Sequence, residues 1–138
     1  MKVVVVDASV AVKWFIPEDG AAEADALLAQ RTPLIAPALL WIEVASVLWK
    51  LARRGALPPE AAEGVLAASQ RYPVEIVDTA PLLGEALRLA LATGATVYDA
   101  LYLAAAIAHD GTLVTADQRL ADVIKAEHRG RVRLLPPA

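Results

Sequence analysis

The sequence has no cysteine and no asparagine, one methionine, one phenylalanine and two histidines, His109 and His128. Without cysteine there are no disulfides, no thiolate nucleophile and little scope for zinc. With so little histidine, any bound metal must be held by carboxylates, which favours hard ions such as magnesium or manganese. The shortage of asparagine and methionine is a bias of heat-adapted proteins, and equally a product of a GC-rich genome. No apolar run approaches the roughly 18 residues of a membrane helix. Lys2 leads directly into a strand-like run, so neither a membrane span nor a signal peptide is expected. A cytoplasmic chain is the default expectation. No glycine-rich loop follows a predicted strand, which disfavours a nucleotide-binding module.

What is present is apolar. Of 138 residues, 57% are hydrophobic and 21% charged, which rules out disorder and suits one domain over residues 1–138. The surplus of alanine, leucine and valine exceeds what one small core absorbs, so a self- or partner interface is expected. A net charge of −3 does not advertise nucleic-acid binding, yet it tolerates a basic rim around an acidic site.

Strands are expected at Lys2–Val6, Leu34–Ala36, Val74–Val77, Thr112–Val114 and Val132–Leu135. Helices are expected at Ala21–Gln30, Ala38–Arg54, Pro59–Arg71, Pro81–Thr93, Val97–His109 and Gln118–Glu127, punctuated by proline starts and glycine stops. Alternation without hairpin signals means an α/β domain with a mostly parallel sheet. Pro136, Pro137 and Ala138 read as a short frayed tail.

That topology orients the charges. Asp7 ends the first strand in V-V-V-V-D-A-S, and Asp117 follows the fourth in T-A-D-Q-R-L. Asp99, in T-V-Y-D-A-L-Y-L, lies near the start of the helix feeding the fourth strand. Glu43 falls in the second turn of the helix after strand two. All four are expected at the carboxyl edge of the sheet, where ligands of open α/β folds bind. Each aspartate also reads as a helix cap: Asp7 and Asp117 as N-caps, Thr96-x-x-Asp99 as a capping box. Glu43 resists that reading. No lysine or arginine lies three or four positions away, on a segment that looks buried nearly all round. A buried unpaired carboxylate costs several kcal/mol, and two carboxylates about 5 Å apart repel by roughly 3 kcal/mol at an effective dielectric near 20. Four together are easier to justify as metal ligands than as caps. Elsewhere, Asp78 and Asp110 read as turn residues, Asp122 as a solvated helix face, and His109 as a helix-terminal surface residue.

In order and spacing, V-V-D-A-S, the helix glutamate, Y-D-A-L-Y-L-A-A-A and L-V-T-A-D-Q-R-L resemble a PIN domain, more narrowly a VapC-type toxin of a toxin–antitoxin pair. The resemblance covers the whole chain. It implies a five-stranded parallel sheet ordered 3-2-1-4-5 and a ribonuclease dependent on Mg2+, for which Mn2+ can substitute. It also implies Asp7 and Asp99 as direct metal ligands, with Glu43 and Asp117 completing the acidic pocket directly or through water. Ser9 and Thr115, two residues from Asp7 and Asp117, read as hydroxyls that orient carboxylates or bound water. Lys13 and Arg119, with Lys50, Arg53 and Arg54, are the candidate RNA contacts, though each reads equally as surface charge. Similar proteins form homodimers and are silenced by a VapB-type antitoxin that wraps an apolar groove, to which the helix L-L-W-I-E-V-A-S-V-L-W could contribute.

Two enzyme alternatives fail on residues. A receiver domain needs an acidic pair after strand one, but Val6 precedes Asp7; a haloacid-dehalogenase phosphatase needs D-x-D, but the sequence reads Asp7-Ala8-Ser9. A catalytically silent PIN-like binding module stays open.

Overall fold

The computed structural model describes residues 2–135, so the expected tail at 136–138 lies outside the described residues. Strands β1 (Val4–Val6), β2 (Leu34–Pro37), β3 (Val74–Val77), β4 (Thr112–Thr115) and β5 (Val132–Leu134) form a single sheet ordered β3-β2-β1-β4-β5. Every pairing is parallel, as the sequence led us to expect. Between the strands run α1 (Ala8–Ala11), α2 (Ala21–Ala29), α3 (Leu39–Arg53), α4 (Pro59–Ser69), α5 (Leu83–Thr93), α6 (Val97–Ala108) and α7 (Gln118–His128).

The valine run of β1 is apolar throughout because both faces of the sheet are covered. Val5 points into a core shared with α5, α6 and α7, where Leu89, Leu103 and Ile124 meet Leu113 of β4. Val4 and Val6 point the other way, onto α1, α2 and α3, among Val10, Leu27, Leu40 and Val44. This is the two-residue strand period expressed as two separate cores. Among the described residues, every buried polar side-chain atom has a hydrogen-bond partner.

Element boundaries depart from expectation in a few places. The first strand pairs only from Val4, not Lys2. The helix expected from Pro81 opens instead as a 3₁₀ turn over Ala80–Leu82, with Pro81 in its first turn. The larger correction concerns α3. It was expected to be buried nearly all round, but it is amphipathic: Leu40, Val44 and Leu48 face inward, while Ile42 is 65% and Trp49 59% exposed. Apolar composition alone does not say which faces of a helix have a neighbour.

Two glycines hold the crossover between the sheet halves. Gly94, at φ 83°, ends α5 in the left-handed conformation. Gly111 joins α6 to β4 where a Cβ would stand 2.5 Å from the Val3 carbonyl oxygen. Successive strands step from β1 out to β3, and then the chain crosses back to place β4 on the other side of β1. The switch point therefore lies outside the carboxyl ends of β1 and β4, with Asp7 directly after one and Asp117 just after the other. Among the described residues, no single helix is long and apolar enough to cross a membrane.

Candidate acidic active site

Asp7 is buried, only 5% exposed, at the end of β1. Its carboxylate accepts hydrogen bonds from the Ser9 hydroxyl at 2.6 Å, the Val10 N–H at 3.2 Å and the Thr115 hydroxyl. The third of these ties the end of β1 to the end of β4. Both hydroxyls also accept an amide: Ala116 N–H donates to Ser9 Oγ at 2.9 Å, and Asp117 N–H to Thr115 Oγ1 at 3.1 Å. Each hydroxyl thus accepts one amide and donates to Asp7, and the two hydroxyl oxygens stand 3.3 Å apart. The Val10 bond makes Asp7 the N-cap of α1, so the cap reading is correct as well.

Burial pushes the Asp7 carboxyl up to about 6; the hydrogen bonds from Ser9, Thr115 and Val10 oppose the rise, and the nearby charge of Glu43 adds to it. Glu43 is half-buried, and burial raises its carboxyl too, against a hydrogen bond from the Tyr102 hydroxyl and with the Asp99 charge adding. The Tyr102 phenol is itself held in its protonated form by burial and by the charges of Glu43, Asp7 and Asp99. Three carboxylates from three elements thus share one electrostatic neighbourhood around a buried phenol.

Asp99 lies in the first turn of α6, where its N–H caps back to the Thr96 hydroxyl at 3.1 Å. Its carboxylate is turned elsewhere, to Arg119 Nη2 at 3.2 Å. The same nitrogen stands 3.8 Å from Asp117, whose other oxygen caps α7 by accepting from Leu120 N–H at 3.1 Å.

The sequence did not point to Tyr102. The signal was there: a lone phenol one turn past Asp99 in a run of alanine and leucine, where a buried hydroxyl must find a partner. That partner is Glu43, which carries no charged neighbour on its own helix.

The basic candidates divide. Arg119 meets the acidic residues directly. Lys13 donates to Glu18 at 3.0 Å and to the Asp19 carbonyl in the adjoining loop. Lys50, Arg53 and Arg54 are exposed near the far end of α3, roughly 10–15 Å from Glu43 along the helix axis. Arg53 there lies over the Trp49 ring, 5.4 Å from its centroid. Asp122 accepts from Gln118 on an exposed face, Asp78 caps a turn at Ala80, and Asp110 pairs with Arg131 at 2.9 Å. His109 is exposed at the end of α6.

The donors fit a hard divalent ion in kind: all are carboxylate oxygens, and the Asp7 and Glu43 carboxyls are raised chiefly by burial, with a smaller contribution from a neighbouring carboxylate. In this arrangement they do not form a finished cage, since among the described residues no three Asp, Glu or His side chains stand in ready metal-holding geometry. The positive charge at Asp99 and Asp117 is Arg119.

Comparison with known proteins follows the same lines. The PIN domain family model matches residues 4–126. Ribonuclease VapC3 of Pyrobaculum aerophilum is 37% identical over 124 residues, spanning 88% of this chain and 95% of that protein. The crystal structure of PAE2754 from the same organism superposes with a TM-score of 0.73 at 30% identity, over 95% of this chain and 83% of that one. A toxin–antitoxin complex from Klebsiella pneumoniae shares the fold at TM-score 0.68 and 17% identity, over 98% and 99% of the two chains. Matched along most of its length by the family model, and by a VapC ribonuclease at this identity, the chain belongs to the PIN-domain family, alongside its VapC-type members.

Proposed function

We propose that this chain is a divalent-metal-dependent endoribonuclease, the cytoplasmic toxin of a toxin–antitoxin pair. The observation that carries the reading is Asp7: a buried carboxylate at the switch point, held by two hydroxyls and sharing its field with Glu43, which in turn feels Asp99. The 37% identity to a ribonuclease supports the same conclusion.

Asp7 and Asp99 would hold magnesium, or manganese in its place, directly, with Glu43 and Asp117 completing the set directly or through water. When bound, such an ion supplies a more acidic water and neutralises charge developing on a phosphate. The chain's own residues set the stage. Ser9 and Thr115 fix the Asp7 carboxylate from behind, so its orientation does not depend on an occupant. Tyr102 keeps Glu43 turned toward the other acids. Arg119, exposed at the rim, would meet an RNA phosphate, with Lys13, Lys50, Arg53 and Arg54 as more distant contacts.

The competing reading is a catalytically silent binding module, and the Arg119 bridge favours it, because that bridge offsets part of the charge of two of the acids without an ion. Manganese titration separates the readings: the enzyme binds the ion at the carboxylates, and a silent scaffold need not. Cleavage of structured RNAs with manganese is then expected of the wild-type chain and lost in Asp99→Asn.

For the antitoxin we assign the groove of about 290 Å3 between α3 and α4, lined in part by Leu48, Trp49, Ala52 and Leu66. Its acidic lip, Glu60 and Glu63, suits an apolar segment carrying basic residues. Trp49→Ala should weaken binding of a co-expressed antitoxin by tenfold or more, as expected for an aromatic anchor. Unchanged binding would remove the assignment.

A further inference from the structure

One nitrogen of Arg119 faces two acids that belong to different helices. Nη2 lies 3.2 Å from Asp99 on α6 and 3.8 Å from Asp117 at the start of α7. Both acids occupy helix N-termini, where the backbone dipole favours negative charge. Their proximity calls for a counter-charge, Glu43 stands in the same field as Asp99, and among the described residues the one cation within 4 Å of both aspartates is Arg119.

The guanidinium is an unusual permanent answer. It remains 63% exposed while Asp99 is 19% exposed, so the cation reaches in from solvent over an acid that is itself largely covered. An exposed pair of this kind is weak and readily exchanged. An arginine cannot shed its charge to make way for another cation, so it must move bodily aside.

We infer that Arg119 is a tethered counter-ion that competes with the divalent ion for Asp99 and Asp117, and that the ion binds by displacing it. This rests on the proposed metal-holding role of the carboxylates and adds a cost to metal loading that the chain itself imposes. It also accounts for the unfinished cage: the acids are arranged around a guanidinium rather than around a point charge. Once displaced, the side chain stays at the mouth of the site as a mobile positive charge.

The experiment is manganese binding by calorimetry, followed by thermal unfolding with and without the ion, for wild type, Arg119→Gln and Arg131→Gln. Arg131 pairs with Asp110, away from the acidic site, and its loss changes net charge by the same amount. Competition predicts that Arg119→Gln binds manganese about three- to tenfold more tightly at low salt, the range expected for removing a weak exposed competitor. The same variant should unfold at a lower temperature without the ion and show a larger ion-induced rise. Arg131→Gln should bind manganese as the wild type does. If wild type binds manganese and Arg119→Gln binds it no more tightly, or Arg131→Gln gains as much, the inference is overturned and the metal reading stands. If wild type binds no manganese, both fall.

Discussion

Asp7, the first of the proposed metal ligands, makes stability depend on pH. Its carboxyl is raised from 3.8 to about 6, so the folded chain holds that proton more tightly than the unfolded chain does. The resulting stability is full below about 4 and is lost as pH rises through about 6, on the order of 3 kcal/mol if nothing else compensates. Glu43 shifts in the same direction and adds to the trend. The metal-free protein should therefore show a lower urea midpoint at pH 7.5 than at pH 4.5, and Asp7→Asn should flatten that difference. Asp7, Asp99 and Asp117 were legible from sequence because each sits beside a strand end or helix start that local pattern locates. Tyr102 was not, since its role depends on α3 and α6 meeting across 59 residues. The partner of Asp99 was hidden likewise: Arg119 was visible as a nearby charge, but not its bridge to an acid twenty residues earlier.

At the scale of elements, strand–helix alternation gave the architecture and proline and glycine gave most boundaries. Faces were harder. The α3 helix was expected to be buried nearly all round because it lacks a polar face, but Ile42 and Trp49 face solvent instead. Packing reads from sequence where one face is apolar and the other is not; where both are apolar, only the neighbours decide. The α6–β4 junction is the opposite case, with one residue fixed by backbone proximity. A methyl at Gly111 would press on the Val3 carbonyl, at the start of the central strand that carries Asp7. Gly111→Ala should lower unfolding stability by about 1–3 kcal/mol, the usual cost of overpacking, read from urea denaturation.

The whole molecule leaves apolar surface uncovered, as composition suggested. Leu83, Leu87 and Leu91 form an i, i+4, i+8 row along α5, exposed by 51%, 51% and 79%, with Tyr98 of α6 exposed by 63%. If the chain forms the expected homodimer, we propose this row as its seat, separate from the α3–α4 groove assigned to the antitoxin. Sedimentation should show a dimer for wild type and at least tenfold weaker association for Leu87→Glu; a wild-type monomer at tens of micromolar would remove the dimer from the account. The sheet order was inferred from a family likeness rather than from periodicity, because nothing local in a parallel strand names its neighbour. The proposed metal-dependent chemistry would depend on the same global arrangement, since it would need four acids from four elements to act together. The most direct measurement is cleavage of a structured RNA panel by wild type and Asp99→Asn, in manganese and in chelator. The account predicts cleavage by wild type in manganese alone and at least a hundredfold less by the variant. Equal cleavage by both proteins, or cleavage that persists in chelator, would contradict it.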